Sequence, residues 1–146
     1  MDLWNLFLQR AFGVPSLDYC FLGRWVLHLA DGRFAHASIA AAPPRALECP
    51  MGYLAHYSIG VGLSAAFVRL VSPAWLARPT FLPALLFGIA TLVFPLFVLQ
   101  PALGLGVASA RAAHPTRARL KSLASHLVFG IGLYACALAL ELALGR

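Results

Sequence analysis

Residues 48–57 read Glu-Cys-Pro-Met-Gly-Tyr-Leu-Ala-His-Tyr, and the way this stretch leads into the apolar run 51–71 decides the fold. Pro50 suits the first turn of a helix, where its missing N–H has no intrahelical partner to lose. The run that follows is close to the ~20 residues needed to cross about 30 Å of hydrocarbon. A carboxylate, a thiol and a His-Tyr pair therefore sit at the mouth of a candidate membrane span.

Working outward, residues 81–109 and 120–144 form two more apolar runs. The run 81–109 is longer than a bilayer needs, so it must tilt or kink. Pro95 and Pro101 each remove an intrahelical hydrogen bond and supply the kinks. Residues 1–13 are apolar but short, half a span or an interfacial helix, ended by Gly13-Val14-Pro15. Residues 17–30 fit an amphipathic helix, with Arg24, His28 and Asp31 along one face and Phe21, Leu22, Trp25, Val26 and Leu29 on the other. Such a helix lies among headgroups or packs on the bundle. Pro43-Pro44 marks a linker.

The expected fold is a single all-α domain over 1–146, a small multi-pass membrane helix bundle. It has three full transmembrane helices (51–71, 81–109, 120–144), a shortened N-terminal helix (1–13) and an interfacial amphipathic helix within a cytoplasmic-face segment (17–50). Composition agrees: 61% of residues are hydrophobic and 11% charged, and the mean hydropathy is +0.81. A water-soluble domain of this size needs more polar surface. The lipid bilayer is the expected partner, with self-association or a larger membrane complex covering exposed faces.

The formal net charge is +6. No Walker loop, zinc-finger spacing or RNA-binding signature accompanies it, so nucleic acid is not an expected partner. The basic residues cluster between the apolar runs, as orientation signals do. Arg10, Arg24, Arg33, Arg45, Arg111, Arg117, Arg119 and Lys121 fall on one side if residues 1–13 cross or part-cross, and Arg69, Arg78 and Arg146 on the other. This imbalance puts loops 14–50 and 110–121 in the cytoplasm. Cys20, Cys49 and Cys136 stand far apart, and an odd count without a Cys-x-x-Cys unit does not suggest a disulfide framework. The opening Met-Asp-Leu-Trp-Asn has no basic n-region and no Ala-x-Ala site follows, so no secretory signal peptide is expected.

The polar residues inside the spans recur every four positions. Gly52, His56, Gly60 and Ser64 form one stripe, Ser122, His126, Gly130 and Tyr134 a second, and Gln100, Gly104 and Ala108 a third. Spacing by four puts each set on one helix face, where small residues permit close approach and polar ones bond across. His56 and His126 each lie about 9 Å inside the membrane at 1.5 Å per residue. The expected site is a polar pocket of His56, Tyr57, Gln100, Ser122 and His126, with Glu48 at its mouth. Two facing histidines, His56 and His126, could ligate a metal or a haem iron, or relay protons. Cys20, His28, His36, Glu48 and Cys49 could extend a metal site, though no spacing among them is diagnostic.

Gly23-Arg24-Trp25 before His28 is echoed by Gly32-Arg33-Phe34 before His36, so Arg24, His28, Arg33 and His36 are candidates for headgroup or anion contact. The alternatives to a ligand site are a structural or accessory subunit whose stripes only pack helices, a small-solute or proton-coupled transporter, and an enzyme acting on lipid headgroups. No Ser or Cys stands beside a His with a third orienting group, so catalysis is not the favoured expectation.

Met-Asp-Leu-Trp, Gly-Arg-Trp with its His, Gly-Arg-Phe-x-His, Glu48, His56-Tyr57, Gln100-Pro101 with Gly104 and Gly106, and Ser122 with His126-Leu-Val-Phe-Gly-x-Gly-Leu-Tyr together resemble a bacterial inner-membrane family known only as a domain of unknown function. The resemblance covers nearly the whole chain. It implies a four-helix membrane protein without an assigned activity. It also implies a Gly- and Ala-rich half-helix ahead of the Met-Asp-x-Trp element, which would set Asp2 inside the membrane.

Overall fold

The computed structural model describes residues 2–13 and 18–145. Val14, Pro15, Arg146 and the side chain of Asp2, on which parts of the expectations above rest, lie outside the described residues. The chain is all-helical, with no strand among the described residues. The helices are α1 (Asp2–Phe12), α2 (Tyr19–Leu29), α3 (Glu48–Leu70), α4 (Pro73–Ala77), α5 (Phe81–Ala90), α6 (Gln100–Ala102) and α7 (Pro115–Ala143). Three helical stretches, Glu48–Leu70, Phe81–Ala102 and Pro115–Ala143, are long and apolar enough to cross a membrane. Leu54, Val61, Leu82, Leu120 and Leu140 along them are each more than 60% exposed, an apolar exterior unsuited to water.

Two glycine crossings hold the helices together. A Cβ on Gly23 of α2 would lie 1.7 Å from the Glu48 carbonyl oxygen, and one on Gly52 of α3 would lie 1.7 Å from that of Tyr19. The backbones of α2 and α3 therefore touch. Cys20 and Cys49, three residues before each glycine, form a disulfide with Cα atoms 3.9 Å apart. This corrects the expectation of unpaired cysteines. Far apart in sequence, they meet because each precedes a contact glycine by the same offset. The second crossing joins α5 to α7, where a Cβ on Gly88 would lie 2.5 Å from the His126 carbonyl oxygen and one on Gly130 2.8 Å from that of Ala84. Phe67 of α3, buried, ties the two pairs through ring contacts with Trp75 at 5.0 Å and Phe87 at 5.1 Å.

The middle span is interrupted. Pro95 cannot donate to the Thr91 carbonyl, which accepts from the Phe94 N–H instead. The chain turns at 91–92 and resumes as a π-helical turn over Pro95–Leu99 before α6. The helix then stops at Ala102, not at 109. Gly104 has φ +92°, and Ala108 and Ser109 have φ 51° and 56°. The expected stripe Gln100–Gly104–Ala108 is thus corrected: a left-handed turn carries Gly104 and Ala108 off the face of Gln100. Gly104 is required there a second time, because a Cβ would lie 2.3 Å from the Ala37 carbonyl oxygen.

That contact comes from the segment linking α2 to α3. The His36 N–H donates to the Ala102 carbonyl at 2.9 Å and the Ile39 N–H to that of Leu103 at 3.1 Å. Residues 36–39 form a strap across the end of the middle span, so loops 30–47 and 103–114 share one face of the molecule. Among the described residues, only Tyr19–Leu29 of the expected segment 17–50 is helical ahead of α3, and the last helix begins at Pro115, ahead of the expected 120.

Candidate functional site

The polar face of α2 packs inward. Arg24 Nε donates to Glu48 Oε2 at 2.8 Å and Nη2 to Oε1 at 2.7 Å, a two-point fork. Its Nη1 donates to the carbonyls of Ile39, Ala40 and Ala42 at 3.2, 3.4 and 3.1 Å. Glu48 Oε2 also accepts the Arg45 N–H at 2.9 Å, which ties the loop to the start of α3. The bond to Glu48 raises the Arg24 pKa further above its ordinary value. Arg45 and Asp31 form a second, exposed ion pair.

His28 is fully buried, a second departure from an outward polar face. Its Nε2 lies 3.2 Å from the Pro43 carbonyl and its Nδ1 lies 2.8 Å from His36 Nε2. A carbonyl only accepts, so Nε2 of His28 carries the proton and Nδ1 accepts from His36 in the neutral pair. His36 Nδ1 is then a lone pair, and it is buried without a hydrogen-bond partner. Arg24 and His28, expected as headgroup contacts, serve instead as internal fastenings: His28 is fully buried, and half-buried Arg24 turns its guanidinium to Glu48 and the carbonyls of the loop. Arg33 is exposed, while His36 is half-buried in the strap.

Beneath this cap the expected pocket residues fall into separate pairs. The Tyr19 hydroxyl and His56 Nε2 are 3.3 Å apart, with ring centroids at 4.5 Å. Tyr57 is exposed and edge-on to His56 at 5.4 Å. His126 Nδ1 lies 2.7 Å from Thr91 Oγ1, which donates to the Gly88 carbonyl at 2.6 Å. Thr91 is buried at the break in the middle span. Gln100, also buried, donates from Nε2 to Ser122 Oγ at 3.1 Å, and its Oε1 is buried without a partner. His56 thus belongs to the α2–α3 pair and His126 to the α5–α7 pair, and α3 and α7 share no extended interface. Among the described residues, no three His, Cys, Asp or Glu side chains gather as a metal would require.

A family model described as a protein of unknown function, DUF2938, matches residues 1–140. The chain belongs to the DUF2938 family. Neither curated proteins nor solved structures give a match. In this DUF2938 protein the residues that sequence reasoning passed over are Tyr19 and Thr91; it also missed the contact of the Pro43 carbonyl with His28 and the pairing of Cys20 with Cys49. One signal was present for the last: Cys-x-x-Gly occurs twice, at 20–23 and 49–52. Thr91 carried no such mark, since a threonine in an apolar run reads as a β-branched filler.

Proposed function

We propose that this is a multi-pass integral protein of a bacterial inner membrane that binds a small polar ligand bearing N–H or O–H donors where the strap meets the middle span. The observation that carries the reading is the orphaned Gln100 Oε1. A buried acceptor without a partner costs about 1–3 kcal/mol, and intramembrane polar groups are ordinarily satisfied. A second polar atom, His36 Nδ1, an acceptor in the neutral His28–His36 pair, is orphaned on the segment whose backbone bonds to Ala102, two residues along from Gln100. Two buried acceptors on adjoining segments suit a ligand with two or more donors. Ser122 holds the Gln100 amide in place. The other polar pairs bond each other and fasten helices, so His56 and His126 enter this reading as packing residues, in place of metal or haem ligands.

Thermal unfolding in detergent tests it, with methylammonium as a donor probe and tetramethylammonium as an equally charged ion without N–H. A ligand at a hundred times its Kd stabilises by ~2.7 kcal/mol. The expected outcome is a rise in Tm with methylammonium that is absent with tetramethylammonium and lost in Gln100→Leu. Equal shifts with both ions, or a Gln100→Leu protein that melts higher with no probe response in the wild type, would favour the accessory-subunit reading.

A second reading, passage of the same class of solute, is favoured by the broken middle span. Interrupted helices and π-turns at membrane depth accompany solute sites in transporters. Methylammonium flux into proteoliposomes that exceeds that of protein-free vesicles and falls in Gln100→Leu would support it; flux equal to that of protein-free vesicles would leave binding alone.

A further inference from the structure

Cys20, Arg24 and His28 recur every four residues along α2, so all three lie on one face of the helix. Each is committed to a different part of the cap. Cys20 is bonded to Cys49 of α3. Arg24 holds Glu48 and the carbonyls of Ile39 and Ala42. His28 bonds His36 and the Pro43 carbonyl. The strap is thus gripped by α2 on one side, and on the other it donates from His36 and Ile39 to Ala102 and Leu103. A helix of 11 residues moves as one piece, so a shift at Cys20 is carried to Arg24 and His28. Of the three fastenings, only the disulfide is covalent and opened by a reductant. Both cysteines are half-buried, so neither is sealed in the interior.

We infer that the Cys20–Cys49 pair is a redox switch on the ligand site: closed, it seats α2 on α3 and holds the strap against the end of the middle span; opened, it loosens the strap and weakens binding at Gln100 and His36. The inference rests on the ligand site proposed above. Opening is a thiol–disulfide exchange with a dithiol reductant. One thiolate of the reductant attacks one sulfur of the pair, and the other sulfur leaves as a thiolate and takes up a proton. The second thiol of the reductant then displaces the first sulfur, which is protonated in turn, and the reductant departs as a disulfide. Two electrons and two protons pass to the pair. The freed sulfurs separate to van der Waals distance. The backbones of α2 and α3 already touch at Gly23 and Gly52, so that separation loads the crossing that carries Arg24 and His28.

The test compares the whole chain in detergent with the bond closed and with it opened by dithiothreitol. Amide hydrogen exchange over residues 33–42 reads the strap, and a thermal-shift titration with methylammonium reads the site. Reduction should speed exchange over 33–42 and lower the affinity for methylammonium by about fivefold or more, the lower range of allosteric coupling. Reoxidation with glutathione disulfide should reverse both. Cys136→Ser, which removes the exposed cysteine of α7, should leave the switch intact. Cys49→Ser should behave as the reduced protein in both buffers. Equal affinity in the two forms, or equal exchange over 33–42, would overturn the switch and leave the ligand site standing. If methylammonium binds neither form, the ligand reading fails and takes the regulation of binding with it, whatever the strap does.

Discussion

Gly23 and Gly52 show how single residues set this architecture. Each lies where a neighbouring carbonyl oxygen would be 1.7 Å from an added Cβ, and the obstacle is backbone, which cannot swing aside. Alanine at either position must push α2 off α3, lengthen the Arg24–Glu48 fork and shift the strap. The cost should reach at least the 1–3 kcal/mol typical of an overpacked core. Gly60 and Gly62, on the same helix as Gly52, have nothing within 4 Å of the place an added methyl group would take. Alanine there should gain roughly 0.5–1 kcal/mol from helix propensity. Melting of the four single variants in detergent checks the contrast, and a Gly52→Ala protein as stable as Gly60→Ala would refute the crossing. Polar residues follow the same logic. Arg24 satisfies one carboxylate and three carbonyls, so its charge serves the cap and does not face solvent.

At the scale of elements, α2 is fastened to α3 by the glycine contact, the ion pair and the disulfide, which spans a separation of 29 residues. Closing a loop of that length removes about 3–4 kcal/mol of unfolded-state entropy in the chain-entropy model. Cys49→Ser should therefore lower the melting temperature under oxidising conditions and change nothing when both proteins are held in reductant. An equal drop in both conditions would mean that the cysteine contributes by packing alone. The elements themselves were largely legible in the sequence, because length and apolarity identify a span; of the four-residue stripes, Gly52 and Gly130 lie at helix contacts, whereas Gly60 of the first stripe faces open space. Periodicity does not name the partner, however. The stripes at 52–64 and 122–134 looked alike and level, yet α3 joins α2 while α7 joins α5. Nor does a regular spacing reveal φ: Gly104 fits a helical stripe on paper and sits in a left-handed turn. The polar face of α2 was visible, but amphipathicity alone cannot tell whether that face meets water or a half-buried glutamate.

For the whole molecule, the strap bonded to Ala102 and Leu103 places the cap and the loop before α7 on one face. That face carries Arg24, Arg33, Arg45, Arg111, Arg117, Arg119 and Lys121, against Arg69 and Arg78 near the other ends of the spans. Pairing with Glu48 and Asp31 does not remove Arg24 and Arg45 from the count, since orientation follows lysine and arginine and acidic residues contribute little. For a chain resident in the inner membrane, as proposed, the imbalance predicts a cytoplasmic cap, in a compartment where disulfides are transient. In that orientation the Cys20–Cys49 bond is expected to be the oxidised form of a thiol pair brought together by the glycine crossing. A cytoplasm-active reporter fused at residue 115 should be active. Cells quenched with an alkylating agent should yield Cys20 and Cys49 as labelled thiols, and treatment with a thiol oxidant beforehand should protect both from labelling. If a phosphatase fused at residue 115 is active outside the cell membrane and the bond is already closed in quenched cells, the orientation is the reverse, and the cap with its strap faces the oxidising compartment.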